Sequence, residues 1–280
     1  MTTNGATSKS LIDSQVLLVT EQGDGYLEAV ISNPPLSLID NAVFAGFRLL
    51  REYAEAHGTK VIVFSPNHPD FFVAHLDVKN VHEAPDIPGA QPIFDGWPEW
   101  SHWLSYGPVA TIAKVRGIAR GIGNEFICAC DMRFASRERA RFAQLEEGYG
   151  LLPGGGGLEW LPKLVGRGRA LEIVLGAEDF DAETAERYGW INRAVPDAEL
   201  DRTVALLARR IASFDARALS TAKAMLNHRS EQVSVDQLRE SFDVIMQLAG
   251  RDESKTRYAA MQARGHHTRE GELIRTRLFF

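Results

Sequence analysis

Residues 117–131 read GIARGIGNEFICACD. The β-branched run VATIAKV (109–115) leads into this stretch, and NEFICAC (124–130) continues it as a nearly uncharged segment that reads as a buried helix. Gly117, Gly121 and Gly123 let the chain turn from strand to helix with backbone N–H groups directed outward. The helix dipole adds about half a positive charge at the same place. Such a turn suits a negative oxygen, on a bound anion or developing during a reaction. Glu125 follows one turn inside the helix. Exposed, it would simply complement the dipole. Buried and unpaired, it would be costly and its pKa would rise.

Glu146 lies in ARFAQLEEGYGLLPGGGG (140–157), between a short strand, ARFA, and a run of glycines. Two glutamates beside two glycine-rich turns suit paired acid–base work better than either one alone. A second backbone donor is available in FFVAHLD (71–77), which follows the strand KVIVFS (60–65) and a loop. Nucleotide fingerprints do not fit. GIGNEF lacks the third glycine of a dinucleotide turn, and GGGGLEW (154–160) is not followed by Gly-Lys-Ser/Thr.

The formal charge of −6 argues against a nucleic-acid surface. Cys128 and Cys130 offer no disulfide framework and too few ligands for a metal site, so no metal is expected. The opening MTTNGATSKS has no apolar signal region, and no uncharged stretch approaches the about 20 residues needed to span a bilayer. A protein without a membrane partner, in the cytoplasm, is the expectation.

VLLVTEQGDGYLEAVISN (16–33) reads as two strands joined at Gly23-Asp24-Gly25. Asp40 caps a helix with apolar residues at 43, 44, 47, 50 and 54, which Gly58 ends. In FDGWPEWSHWLSYGP (94–108), Pro98 suits the first position of a helix whose face carries Trp97, Trp100, Trp103 and Leu104. That stripe reads as core, with a pocket wall as the alternative. MRFAS (132–136) and ARFA (140–143) read as short strands, GRGRALEIVLGA (166–177) as a helix, and 181–196 as a capped helix ending at Gly189 before a strand. From Glu199 the pattern is helical, with breaks near Phe214, Arg229 and Gly250. The expected organisation is a disordered tail over 1–14, an α/β core holding the site over 15–195, and a helical region over 196–280. The terminal LFF could pack on a neighbouring subunit.

Taken in order, the motifs resemble those of the enoyl-CoA hydratase/isomerase, or crotonase, superfamily over about residues 16–265. Phe72-Val73-Ala74-His75-Leu76-Asp77 corresponds to its first oxyanion segment, and Gly117 through Phe126 to its second. Ala140, Phe142, Glu146, Gly150, Pro153, Gly154, Gly156 and Gly157 correspond to its third. The resemblance implies a spiral of β-β-α units with a C-terminal helical region used for trimerisation, as a homotrimer or homohexamer. It implies an acyl-CoA thioester as partner, with coenzyme A part of the substrate and no separate cofactor, in fatty acid metabolism. The N–H groups of Leu76 and Ile122 would hold the thioester oxygen. Ala74, His75, Leu76, Lys79 and Ile122 would surround the substrate. Both family glutamates are present, which favours a hydro-lyase: Glu146 would protonate the α-carbon and Glu125 would activate the water. The alternatives are an isomerase, a hydrolase using His75, or a non-catalytic CoA-binding or assembly homologue. His75, Leu76 and Ile122 replace glycine, alanine and glycine of the family pattern, which fills space and restricts φ without removing an N–H. His266 and His267 read as part of a polar tail.

Overall fold

The computed structural model describes residues 10–78 and 93–275. Strand β1 (Leu17–Gly23) pairs antiparallel with β2 (Tyr26–Ile31). The turn between them places Gly23, Asp24 and Gly25 at positive φ. Helix α1 (Asn41–Ala56) starts where expected, because Asp40 Oδ1 accepts from the Val43 N–H at 2.8 Å. Its buried face is Val43, Phe44, Phe47, Leu50 and Ala54.

The chain then repeats one unit. Strands β3 (Val61–Pro66) and β4 (Phe71–Val73) precede helix α2 (Ile93–Tyr106). β5 (Ala110–Val115) and β6 (Ile118–Arg120) precede α3 (Ile122–Ala129). β7 (Met132–Ser136) and β8 (Arg141–Ala143) precede a 3-10 turn (Glu146–Tyr149) and helix α4 (Gly157–Val165). The first strand of each unit joins one sheet and the second joins another. A six-stranded sheet runs β1-β2-β3-β5-β7-β10, and a four-stranded sheet runs β4-β6-β8-β9. Within them β2, β3, β5, β7 and β10 are parallel, as are β4, β6 and β8. This is the expected spiral. Its glycine turn differs in detail, since the short strand β6 lies between Gly117 and Gly121.

Helices α5 (Arg167–Gly176) and α6 (Ala182–Tyr188) flank β9 (Phe180–Asp181), and β10 (Arg193–Val195) closes the six-stranded sheet. Helices α7 (Asp197–Ala212), α8 (Ala216–Arg229), α9 (Val235–Ala249), α10 (Asp252–Ala263) and α11 (Arg269–Leu273) follow. The α7 residues Leu200, Val204 and Ala208 pack with Val61, Val63, Ile112 and Phe134 of the sheet. The helical region expected from 196 therefore contributes a layer of the core rather than standing apart.

Between the sheets and α1–α3, Phe47 stacks on Trp100 (centroids 4.9 Å) and on Phe126 (5.2 Å). Trp97, Trp100, Trp103 and Leu104 are all buried, as one apolar face of α2 requires. Pro98 sits inside α2, not at its first position, because the helix begins at Ile93. Part of the expected N-terminal tail is bound: the Leu11 N–H donates to Val19 O at 2.8 Å, and Ile12 is buried. The terminal LFF lies outside the described residues.

Candidate active site

Two amides open the site. Ile39 and Leu76 form a parallel bridge in which the Ile39 N–H donates to His75 O (3.1 Å) and the Asp77 N–H donates to Ile39 O (2.9 Å). A strand's amides alternate in direction, so the Leu76 N–H faces away from Ile39. Ile122 is the first residue of α3, where helix N–H groups have no partner of their own. Among the described residues neither amide has an acceptor, and both residues line the same cavity. His75, Leu76 and Ile122 all avoid positive φ, so larger side chains are accommodated without backbone strain. The strained position is Gly121, at φ 51° and ψ −126°.

Two carboxylates meet the same cavity. Glu125 Oε1 accepts from the N–H groups of Gly155 (2.8 Å) and Gly157 (3.0 Å). The Trp97 Nε1–H donates to Gly155 O at 2.9 Å and pins that loop. Gly155 must be small, since a Cβ there would stand 2.5 Å from Glu125 Oε2. Glu146 Oε2 accepts from the Leu145 N–H (2.8 Å) and from Gln144 Nε2 (3.1 Å), while Asn124 Nδ2 donates to Gln144 Oε1. The other oxygen of Glu146 lies beside Gly121, where a Cβ would stand 2.9 Å away. Burial, then the Glu146 charge, raises the Glu125 pKa well above the ordinary carboxylate value. Burial also raises Glu146, against hydrogen bonds and the Arg275 charge that lower it.

His75 faces the cavity with an acceptor beside each ring nitrogen, and the neutral imidazole donates to only one of them. Nδ1 lies 2.6 Å from Leu76 O, and Nε2 lies 3.2 Å from Glu272 Oε1. Burial, followed by the Arg275 charge, lowers its pKa. The nitrogen that carries the proton is therefore engaged within the protein. His266 and His267, expected in a polar tail, are instead packed here: His266 is buried, with Nδ1 3.0 Å from Glu272 Oε1, and the His267 N–H donates to that same oxygen at 3.0 Å. The expectation that the histidines stand apart is corrected, since nitrogens of His75, His266 and His267 lie within 4.8 Å of one another. Their hydrogen bonds to Glu272 and Tyr258, with the Arg275 guanidinium alongside, join them into one hub.

The cavity encloses about 320 Å³. Trp97, Leu76, Leu145 and Leu151 face Phe242, Ile245 and Met246 of α9, while Tyr149, His266 and Arg275 form a polar flank. The side chain of Ala74, expected at the substrate, packs with Leu36, Leu38, Phe71 and Ile118. Lys79 lies outside the described residues.

A sequence profile of the enoyl-CoA hydratase/isomerase family matches residues 38–266. The chain belongs to this family. The short-chain-enoyl-CoA hydratase of Clostridium acetobutylicum is 39% identical over 165 residues, which cover 59% of this chain and 62% of that protein. The match thus spans less than two thirds of the Clostridium protein. A Rhizobium meliloti protein named "probable enoyl-CoA hydratase" is 33% identical over 194 residues, covering 69% of this chain and 74% of its own. The solved structure of a candidate enoyl-CoA hydratase from Streptomyces avermitilis superposes with a TM-score of 0.88 at 40% identity, covering 96% of this chain and 98% of that one.

In this enoyl-CoA hydratase/isomerase family member, no helix among the described residues is long and apolar enough to cross a membrane. Sequence reading missed the groups that steady the glutamates and the oxyanion segment: Gln144, Asn124, Tyr149, Glu272 and Arg275. Gln144 carried a faint signal, standing two residues before Glu146 at the end of ARFA. Glu272 and Arg275 carried none, since REGELIR reads as a solvated charged helix.

Proposed function

We propose that the chain reversibly hydrates a 2-enoyl-CoA to a 3-hydroxyacyl-CoA. One observation carries the reading: the buried Glu125 of α3 and the half-buried Glu146 of the 3-10 turn share a cavity with two unengaged main-chain amides. The thioester oxygen is held by the N–H groups of Leu76 and Ile122, which stabilise the enolate charge that builds there; one such donor is worth about 3–4 kcal/mol in acyl-transfer enzymes. Glu125, fixed by the Gly155 and Gly157 amides, orients a water and takes its proton as oxygen attacks the β-carbon. Glu146 delivers a proton to the α-carbon. The reverse reaction exchanges these roles, and the pair needs only one proton at a time. The apolar wall of Leu76, Leu145, Leu151, Ile245 and Met246 receives the acyl chain. No cofactor is needed beyond the coenzyme A of the substrate.

Hydrolysis through His75 has less support, because its ring nitrogens face the protein's own Leu76 carbonyl and Glu272 carboxylate. Double-bond isomerisation needs only one of the two glutamates, so an intact pair favours hydration. Assembly into a trimer or hexamer belongs to the same reading. Its support is apolar surface on the helical region, where Leu206, Leu226 and Phe214 are exposed. The test is a panel of 2-enoyl-CoA esters followed by loss of the conjugated thioester absorbance. Hydration of at least one chain length is expected. An ester that binds but is never hydrated at any length overturns the proposal.

A further inference from the structure

We infer that Glu272 is a positioning residue that fixes the two amide donors relative to each other. The inference rests on the hydratase reading above and concerns how its oxyanion site is held.

Glu272 is fully buried and sits in α11, far along the chain from both donors. Its carboxylate reaches the first donor segment: Oε1 meets His75 Nε2 at 3.2 Å, and His75 precedes Leu76 and places Nδ1 2.6 Å from the Leu76 carbonyl. Its main-chain carbonyl reaches the second: it accepts from Arg120 Nη1, and Arg120 ends β6, two residues before Ile122. Arg120 is itself fixed by Asp179, through Nε at 2.8 Å and Nη2 at 2.5 Å. A chain of contacts therefore runs Leu76–His75–Glu272–Arg120–Ile122, in which the neutral His75 donates to one of Glu272 and the Leu76 carbonyl and packs against the other. Among the described residues, the strand pairing of β4 with β6 at Phe71–Ile118 and Val73–Ala119 stops short of both donors. Beyond those pairs, the separation of the two amides is set by loop backbone, by the packing of Gly123 and Phe126 of α3 on Val73 and Phe72, and by this tie.

The carboxylate is held so that it stays charged and immobile. Oε1 also receives His266 Nδ1 and the His267 N–H, each at 3.0 Å, and Oε2 receives Arg275 Nη1 at 3.2 Å. Arg275 Nε in turn donates to the Tyr149 hydroxyl at 2.7 Å, in the 3-10 turn that begins at Glu146. The same hub thus touches the segments of both donors and the turn of one acid–base residue. A group whose only task was to anchor the C-terminal segment would affect folding without touching the polarisation of a bound carbonyl, and that difference can be measured.

The variants are Glu272→Gln, which keeps the volume, and His75→Leu, which cuts the tie on the Leu76 side and leaves the Glu272–Arg275 pair intact. Each is assayed for hydration kcat and KM, and for the red shift of a dialkylamino-cinnamoyl-CoA whose absorption reports carbonyl polarisation. Both variants should lose kcat by roughly ten- to a hundredfold with KM within about threefold, as expected for donors displaced by a fraction of an ångström. Both should also show a smaller red shift than the wild type. If Glu272→Gln does not fold, His75→Leu carries the test. Variants that fold and keep kcat and the red shift within about twofold overturn the assignment. A wild type that binds the probe without a red shift and hydrates no ester overturns the hydratase reading itself, and the two failures are told apart because the second lies in the unaltered protein.

Discussion

Replacing Gly121 with alanine tests the link between the glycine turn and the acid–base pair. Gly121 has φ 51° and ψ −126°, a conformation that costs an L-residue about 1–3 kcal/mol. On a chain of this size that cost corresponds to a fall of about 2–12 °C in Tm. The new Cβ would also stand 2.9 Å from Glu146 Oε1, whereas ordinary contact is about 3.5 Å. Because the clashing atom is the end of a side chain, the structure can relieve the contact by moving the carboxylate roughly half an ångström. Doing so strains the bonds of Glu146 Oε2 to the Leu145 N–H (2.8 Å) and Gln144 (3.1 Å). Ile122, whose amide is the second donor, follows Gly121 directly. With about a hundredfold lost per ångström of misplacement, a shift of about half an ångström should lower kcat by about tenfold. The assay is steady-state hydration beside a thermal melt. A variant with kcat within about twofold of the wild type and an unshifted Tm would refute the role given to this turn.

Glu146→Gln can keep both hydrogen bonds to Oε2 through its amide oxygen but cannot transfer a proton, so kcat should drop by about 10²–10⁴-fold with the fold intact; steady-state kinetics with circular dichroism checks this. Glu125 is raised by burial first and by Glu146 second, so the stability its protonated form confers is complete below the ordinary carboxylate value and is lost as pH rises through the raised folded value. Melting curves should therefore show Glu125→Gln gaining on the wild type as pH rises from mildly acidic to mildly alkaline; a constant difference would count against a raised Glu125. Trp97→Phe removes the 2.9 Å bond to Gly155 O and leaves a buried carbonyl unpaired, at about 1–3 kcal/mol. Both Tm and kcat should decrease in that variant, because the Gly155 and Gly157 amides that hold Glu125 are loosened.

What the sequence disclosed was what is local. The glycine turn, its flanking strand and helix, the Asp40 cap and the Trp97–Trp100–Trp103 stripe all follow from residues a few positions apart, where period and turn chemistry act directly. Ala74 shows the limit of a motif match, which assigns a position in the chain but not the neighbours of the side chain, here Leu36, Leu38, Phe71 and Ile118. Pro98 was misplaced because a proline near a helix start marks the start only approximately, and α2 begins at Ile93. The hub around Glu272 was invisible for a stronger reason. His75 and Glu272 are 197 residues apart, and Arg120 and Glu272 are 152 apart. Nothing in His266-His267 or REGELIR distinguishes groups buried by the fold from groups left in water.

Three glutamates, Glu125 and Glu272 buried and Glu146 half-buried, show how environment, not residue type, divides the labour. Glu125 and Glu146 lie together, each with few donors, and burial drives both pKa values up. Burial pushes Glu272 up as well, yet the hydrogen bonds from His266 and His75 and the Arg275 charge outweigh it and hold the carboxyl well below its ordinary range. A carboxyl that must exchange a proton with substrate has to be poised between its two forms, so its neighbours cannot saturate it. A carboxylate that must hold two chain segments in place has to remain charged, so its donors are supplied in excess. The chain meets both demands within one cavity wall by placing the basic groups, His75, His266 and Arg275, around Glu272, and leaving mostly amides and Gln144 to the pair.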